Sequence, residues 1–112
     1  PYPGFKSRHL SGGTQQKVII SKWMATRPGI MLCDEPTQGL DIGSKAEIYA
    51  LMNDLVREGM GIVMVSRDLP EILNMCDRIL VLRQGRVVRS VKSADTSIDS
   101  IWRYMIGDLR DG

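Results

Sequence analysis

The sequence predicts an α/β fold with a parallel sheet at its core, flanked by helices and followed by a C-terminal hairpin and helix. Short, continuous apolar runs, typical of strands buried on both faces of a parallel sheet, alternate with stretches of helical periodicity. This alternation is typical of α/β proteins rather than of all-α or all-β domains. The 112 residues are enough for one small domain and not for two.

Four helices are predicted from apolar residues that recur at helical spacing. Ser11 is a good N-cap for the first helix, the Pro-Gly pair at 28–29 ends it, and Pro70 suits the first turn of the short third helix. Trp23 and Trp102 lie on apolar helix sides, which predicts core or subdomain contacts for both. The predicted helices cover about 14–27, 44–58, 70–76 and 98–109.

Four short segments, each bounded by turn signals, are predicted as strands. Gln84-Gly85 is a tight-turn signal between the last two, which therefore form a predicted hairpin. The predicted strands cover 30–33, 62–65, 79–82 and 86–88.

The composition is that of an ordinary globular protein. The chain carries 15 basic and 13 acidic residues spread along its length, a net charge of +2, and this balance predicts no nucleic-acid partner. Cys33 and Cys76 stand in apolar contexts and are predicted to be reduced, buried thiols. With His9 as the one histidine and no Cys-x-x-Cys pair, the sequence does not predict a cysteine–histidine metal site.

Two carboxylates, Asp34 and Glu35, follow the first predicted strand directly. The ends of parallel strands are where α/β proteins bind ligands. Asp34 is a candidate for holding Mg²⁺ through water, and Glu35 for orienting and deprotonating an attacking water, as in nucleoside triphosphatases. On spacing alone, a solvated acidic turn after a strand explains the pair equally well.

Ser11, Gly12 and Gly13 stand at the start of the first predicted helix. Glycines leave the backbone N–H groups at the start of a helix unobstructed. These groups, together with the helix dipole, can hold a phosphate. A plain N-cap with a flexible lead-in is the alternative that the three residues alone favour.

Both motifs belong to one ordered series. The segments are Leu10-Ser11-Gly12-Gly13, Gln15-Gln16-Lys17, the apolar strand ending in Asp34-Glu35-Pro36-Thr37, and Gly39-Leu40-Asp41. This series resembles the ATP-binding cassette (ABC) ATPase family, with 10–13 as its signature motif, 30–35 as its Walker B strand and 38–41 as its D-loop. The segments at 22–25, 38–49 and 69–71 are similar to the second cassette of bacterial sugar importers of the ribose, galactose and xylose type.

The resemblance implies a partial P-loop NTPase fold that binds ATP and Mg²⁺. In this family two cassettes meet head to tail and trap ATP between them. Ser11, Gly12 and Gly13, with Gln15, would then contact the γ-phosphate side of an ATP that the partner cassette holds. Residues 1–27 would form the signature region of the helical subdomain, and 28–112 the C-terminal part of the catalytic core.

The other site residues would serve this cassette's own ATP. The resemblance implies that Glu35 is the catalytic residue, that Asp34 binds Mg²⁺ through water, and that Asp41 lies at the cassette interface and couples the two sites. Arg67 stands where the family has its switch histidine, and arginine pairs with phosphate but does not accept a proton as imidazole does.

The sequence departs from the family in three further respects. No Gly-x-x-x-x-Gly-Lys-Ser/Thr loop occurs in it, and the family's glutamine loop is missing. We therefore expect a C-terminal fragment that is inactive alone. Thr14 replaces the usual asparagine, a change that the first turn of a helix should tolerate.

The resemblance also implies partners and a location. These are a second cassette, membrane permease subunits and, indirectly, a periplasmic sugar-binding protein, with the chain peripheral on the cytoplasmic face of the membrane. One alternative is an ABC ATPase without a transport role. Another is a non-catalytic module that self-associates, because sheet edges and apolar faces without their covering elements favour dimerisation.

Overall fold

The computed structural model describes residues 12–26 and 28–110, which form four α-helices, four strands and one short 3-10 helix. The helices are α1 (Gly12–Met24), α2 (Ile42–Arg57), α3 (Leu69–Met75) and α4 (Ile98–Met105), with the 3-10 helix at Ser93–Asp95. The strands are β1 (Ile30–Asp34), β2 (Gly61–Val65), β3 (Arg78–Arg83) and β4 (Arg86–Lys92). The chain divides into two compact units, at the end of β2.

The first unit, up to Val65, is built around a parallel pair of strands. β1 pairs with β2 in a register that sets Ile30 opposite Gly61 and Asp34 opposite Val65. Helix α2 connects the two strands and packs with α1 over the same core. The predicted parallel pairing is thus confirmed. The buried core residues of this unit are Ile20, Met31, Cys33, Ile48, Met52 and Leu55.

One face of this sheet is covered and the other is open. Met31 and Cys33 are buried, whereas Ile30 and Leu32, which alternate with them, are 72% and 71% exposed. On β2, Val63 and Val65 are about half exposed in the same way. The prediction that these strands are buried on both faces is therefore wrong for the described chain, because its helices cover one face only.

The second unit begins at Ser66 and contains an antiparallel hairpin. β3 pairs with β4 from Arg78 opposite Lys92 to Arg83 opposite Arg86, with a register shift between Val81 and Leu82. Gln84 and Gly85 form the turn, both with positive φ, so the predicted hairpin is confirmed. Helices α3 and α4 complete a core of five buried residues: Leu69, Ile79, Val81, Ile101 and Tyr104.

The first two helices differ from their predicted limits at both ends. Helix α1 begins at Gly12 and ends at Met24, where the hydroxyl of Thr26 donates a 2.6 Å hydrogen bond to the carbonyl of Trp23. Helix α2 begins at Ile42 because Asp41 caps it, two residues before the predicted start. Ser11, the predicted N-cap of α1, lies outside the described residues.

The last helix is shorter than its apolar pattern. It ends at Met105, because Gly107, with φ of 98°, takes the left-handed conformation that commonly terminates helices. Leu109 still packs against the core, but from beyond the helix. Trp23 and Trp102 were predicted to make core or subdomain contacts. Neither lies in a core, since their side chains are 61% and 54% exposed, and the subdomain contacts stay a prediction.

Both cysteines are free, as predicted, although Cys76 is only partly buried. Among the described residues, no helix combines the length and apolar character needed to cross a membrane.

Candidate functional site

The candidate site lies at the carboxyl end of β1, where the two parallel strands end side by side. Asp34 is the last paired residue of β1, opposite Val65 of β2. The next amide, that of Glu35, donates a 2.7 Å hydrogen bond to the carbonyl oxygen of Val65. Pairing with β2 therefore holds the backbone of both residues that carry the predicted carboxylates.

Glu35 has an uncommon backbone conformation. Its φ is 50°, in the left-handed region, which costs a residue with a side chain about 1–2 kcal/mol. Such conformations persist where the surrounding structure determines them, and they cluster at functional sites. The hydrogen bond to Val65 is one contact that determines it here. The strain at Glu35 is thus an observation, independent of any motif, that points to this position.

A compact turn follows Glu35. The amide of Gln38 donates to the carbonyl of Glu35 at 3.2 Å, and the amide of Leu40 donates to that of Thr37 at 3.2 Å. Thr37 is buried, with 3% of its surface exposed, and it has a polar partner. Gly39 supplies the positive φ of 78° that the turn requires.

Helix α1 is joined to this turn by a side chain that the sequence analysis did not assign to the site. The Nε2 of Gln16 donates a 2.7 Å hydrogen bond to the carbonyl oxygen of Pro36, which is itself buried. The family resemblance implies a site role for Gln15 instead. Gln15 is half-buried and has a polar partner of its own. To predict Gln16 from the sequence, one would need to know which side of α1 contacts the turn that follows β1.

Asp41 ends the turn and begins helix α2. Its Oδ1 accepts a 2.7 Å hydrogen bond from the amide of Ser44, and its backbone is extended, as an N-cap requires. Hydrogen bonds from the backbone and side chain of Ser44, and from the amide of Gly43, lower the pKa of Asp41 below its usual value. Asp41 is exposed.

Asp34 belongs to the open face of the sheet. Side chains alternate along β1, so Asp34 follows Ile30 and Leu32 onto the exposed side, whereas Met31 and Cys33 point to the core. An exposed carboxylate at the edge of a parallel sheet suits a hard cation that keeps most of its waters, such as Mg²⁺. No group of three or more acidic, cysteine or histidine side chains that would cage a metal occurs in residues 12–26 and 28–110.

A groove of about 470 Å³ runs between α1 and β1 and reaches this site. Ile19, Trp23 and Leu32 give it apolar walls, and Gln16 and Asp34 are among its few polar residues. All of β1, from Ile30 to Asp34, contributes to the lining of this groove.

The remaining predicted site residues lie in other parts of the chain. Ser11 lies outside the described residues, and Gly12 and Gly13 form the first turn of α1. Arg67 belongs to the second unit, where it is exposed between the end of β2 and α3. The structure of the first unit thus brings together Asp34, Glu35 and the turn to Asp41.

The backbone around Arg67 is held by its neighbours. The hydroxyl of Ser66 donates to Oε1 of Glu71 at 2.6 Å and accepts from the amide of Asp68 at 3.0 Å. Asp68 in turn caps α3 by accepting the amide of Glu71 at 3.1 Å. Glu71 is 6% exposed and its two hydrogen bonds in this network are partly buried, whereas the bond between Ser66 and Asp68 is exposed. A charged side chain at position 67 is therefore presented from a fixed turn.

Comparison with known proteins gives a consistent result. A family profile described as "ABC transporter" matches residues 3–38. The ribose import ATP-binding protein RbsA of Bacillus subtilis (strain 168) is 47% identical over 94% of this chain and 21% of its own length. The galactose/methyl galactoside import ATP-binding protein MglA of Clostridium perfringens is 52% identical over 82% of this chain and 18% of its own.

A solved structure shares the fold. It is a dimeric ATP-binding cassette in a post-hydrolysis state, bound to ADP and phosphate, with 35% identity and a TM-score of 0.66. The match covers 79% of this chain and 38% of that one. The chain spans about a fifth of the length of the curated relatives that it matches.

Proposed function

Since the chain belongs to the family of ABC transporter ATP-binding proteins, we propose that it is part of the ATP-hydrolysing, energy-coupling component of a bacterial sugar importer. The conformation of Glu35 carries this proposal, because a carboxylate is held in strained backbone at the end of a parallel strand. The relatives are named for the import of ribose and of galactose, and these names support a sugar as the substrate.

In this function the two carboxylates have separate tasks. Glu35 orients the attacking water and accepts its proton, and Asp34 holds Mg²⁺ through a water molecule. When bound, Mg²⁺ would neutralise charge on the phosphates of ATP. The exposed position of Asp34 at the carboxyl end of β1 supports this division, because ligands of α/β proteins bind at the carboxyl ends of parallel strands.

The remaining residues would act across a contact with a second cassette. Ser11, Gln15 and the backbone of Gly12 and Gly13 would bind the γ-phosphate of the partner's ATP. Asp41 would couple the two sites, and Arg67 would stand at the switch position. The dimeric state of the similar cassette structure supports such a pairing.

The wider assembly follows from the same proposal. Membrane permease subunits would bind the cassette pair on the cytoplasmic face of the membrane, and a periplasmic sugar-binding protein would act through them. The open face of the β1–β2 sheet would then receive further elements of the cassette, since parallel sheets are covered on both faces.

The experiment that tests this function is ATP hydrolysis by the chain alone and mixed with a cassette that contains a Gly-x-x-x-x-Gly-Lys-Ser/Thr loop. We expect no activity alone and stimulation on mixing. Ser11→Ala should lower the stimulated rate about tenfold or more, because it removes a contact to the partner's ATP. Glu35→Gln should not, because Glu35 serves the site without the loop.

Two outcomes would contradict the proposal. One is activity of the isolated chain that Glu35→Gln abolishes while Glu47→Gln, a control at an exposed carboxylate on α2, preserves it. Phosphate would then be held by residues that we have not recognised. The other is the absence of stimulation by any loop-containing cassette.

A second candidate function is a non-catalytic module that self-associates. The apolar side chains exposed on the β1–β2 sheet and on α4 favour it, because contiguous apolar patches are rare on monomers. Light scattering of the purified chain tests this function. A sharp monomer at every concentration would exclude it.

A further inference from the structure

Helix α4 carries apolar side chains on two sides. Ile101 and Tyr104 are buried in the core of the second unit, with 3% and 4% of their surfaces exposed. A further apolar stripe on the outer side is 38–70% exposed and consists of Ile98, Trp102, Met105 and Ile106. Ile106 is the C-cap, directly after the helix. These positions are spaced as i, i+4, i+7 and i+8, the pattern by which one helix packs on another.

Opposite charges flank this stripe along one side. Asp99 lies in the first turn of α4 and Arg103 in the last, four residues apart and therefore on the same side of the helix. Asp99 is exposed, and it forms no salt bridge within residues 12–26 and 28–110. Arg103 is partly buried, and its Nη1 and Nη2 donate to the carbonyl of Arg110 and to Ser100.

We propose that a second copy of this chain covers the stripe, with the two α4 helices packed antiparallel about a two-fold axis. In this arrangement the first turn of each helix faces the last turn of the other. Asp99 of each copy then lies near Arg103 of its partner, and the two Trp102 side chains meet near the axis. A parallel pair would instead place Asp99 and Arg103 of each helix beside the opposite flank of its partner, so the two opposite charges would not meet.

The antiparallel pair is favoured on two further grounds. The dipoles of the two helices oppose each other, so each positive end lies near a negative one. A two-fold contact also uses one patch twice, and the whole patch belongs to residues 98–106 of the second unit. The proposal rests on the self-associating function given above and is independent of ATP chemistry, since no candidate site residue lies on α4.

The contact is small. A helix of eight residues buries less than the roughly 800 Å² per partner of a standard interface. We therefore expect a reversible monomer–dimer equilibrium at micromolar or higher concentration. Trp102 is its central residue, because tryptophan is enriched among the residues that carry most of the binding energy.

The two tryptophans allow the contact surface to be identified in the full chain. Trp23→Phe leaves Trp102 as the single reporter, and Trp102→Phe leaves Trp23, which lines the groove beside β1. As protein concentration rises, emission from Trp102 should shift to shorter wavelength, whereas emission from Trp23 should stay constant. A shift confined to Trp23 would overturn the proposal and assign self-association to the first unit.

Sedimentation equilibrium supplies the second test. Trp102→Glu should raise the dimer dissociation constant at least about tenfold. Ile42→Glu is the matched control, because Ile42 is an 87% exposed apolar residue of the first unit, and this variant should leave the constant unchanged. Equal effects of both variants, or a monomer at all concentrations, would overturn the proposal.

A charge exchange tests the antiparallel order directly. Asp99→Arg should weaken the dimer several-fold, and adding Arg103→Asp in the same chain should restore it. Because Arg103 also contacts its own unit, circular dichroism of each variant checks that α4 is still folded. Failure of the double variant to restore association, with α4 intact, would contradict the antiparallel order.

Discussion

The amide of Glu35 donates a 2.7 Å hydrogen bond to the carbonyl oxygen of Val65, although Glu35 lies one residue beyond the paired part of β1. This bond holds a residue with a side chain in the left-handed region, at φ of 50°. Local backbone preference is thus overridden by strand pairing at the position where the proposed chemistry needs a carboxylate.

We expect Glu35→Gly to be more stable than Glu35→Ala by about 1 kcal/mol. Both variants remove the carboxylate, so their difference reports the backbone alone, and glycine adopts a positive φ without steric cost. Urea denaturation of the two variants measures the difference. If alanine is as stable as glycine at this position, the strain assigned to Glu35 is absent in solution.

Asp41→Ala should destabilise the chain, because it removes the hydrogen bond to the amide of Ser44 at the start of α2. Asp41→Asn is the matched control, since asparagine also caps helices well, and it should retain most of the stability. Thermal denaturation followed by circular dichroism compares the three proteins. Equal melting temperatures for alanine and asparagine would show that the cap contributes nothing.

The same aspartate makes stability depend on pH. Its pKa is lower in the folded state than the usual 3.8, so the contribution is present above this value and is lost as the pH falls through the folded-state pKa. The wild type should therefore lose stability in this acid range more steeply than Asp41→Asn. Superimposable acid denaturation curves for the two proteins would contradict this prediction.

Neighbouring residues of β1 should respond very differently to truncation. Met31→Ala should cost about 3 kcal/mol, because it leaves a cavity under α1 and α2, whereas Leu32→Ala should cost below about 1 kcal/mol. The reason is that Met31 is 7% exposed and Leu32 is 71% exposed. Chemical denaturation of both variants checks the ratio, and equal costs would mean that both faces are covered in solution.

The two thiols should react in a fixed order. Burial raises the pKa of Cys33 and of Cys76, with nearby Asp77 and Glu71 adding to the effect at Cys76. Cys76 is only partly buried, so it should be alkylated by iodoacetamide before Cys33, which is 8% exposed. Peptide mass spectrometry reads the order. Denatured protein is the control, in which both thiols should react alike.

Local features of the fold were predictable from the sequence. The apolar spacing in α2 and the Gln84-Gly85 turn depend on neighbours in the chain, and both predictions are confirmed. Helix α2 begins two residues before its predicted start, because Asp41, which matches the D-loop of the family, also caps the helix. The end of α4 was placed late because Gly107 interrupts a pattern that continues to Leu109.

Features that depend on distant parts of the chain were not predictable. A continuous apolar strand suggests burial on both faces, but whether Leu32 is covered depends on how many helices the chain supplies. Trp23 and Trp102 follow the apolar periodicity of their helices and are still exposed for the same reason. Within the site, Asp34 and Glu35 could be found from their place after a strand. The left-handed backbone of Glu35 could not be predicted, because a glycine usually marks such a conformation in a sequence and position 35 is a glutamate.

The parallel register of β1 and β2 also sets the order in which the chain can assemble. Ile30 pairs with Gly61, so the first rung of this ladder must wait until about thirty further residues, including all of α2, have been synthesised. The β3–β4 hairpin closes across a two-residue turn, as soon as its second strand leaves the ribosome. Sequence-local pairing is fast and long-range pairing is slow. The second unit should therefore need less time to fold after its synthesis than the first, in which β1, the strand that ends in Asp34, must wait for β2.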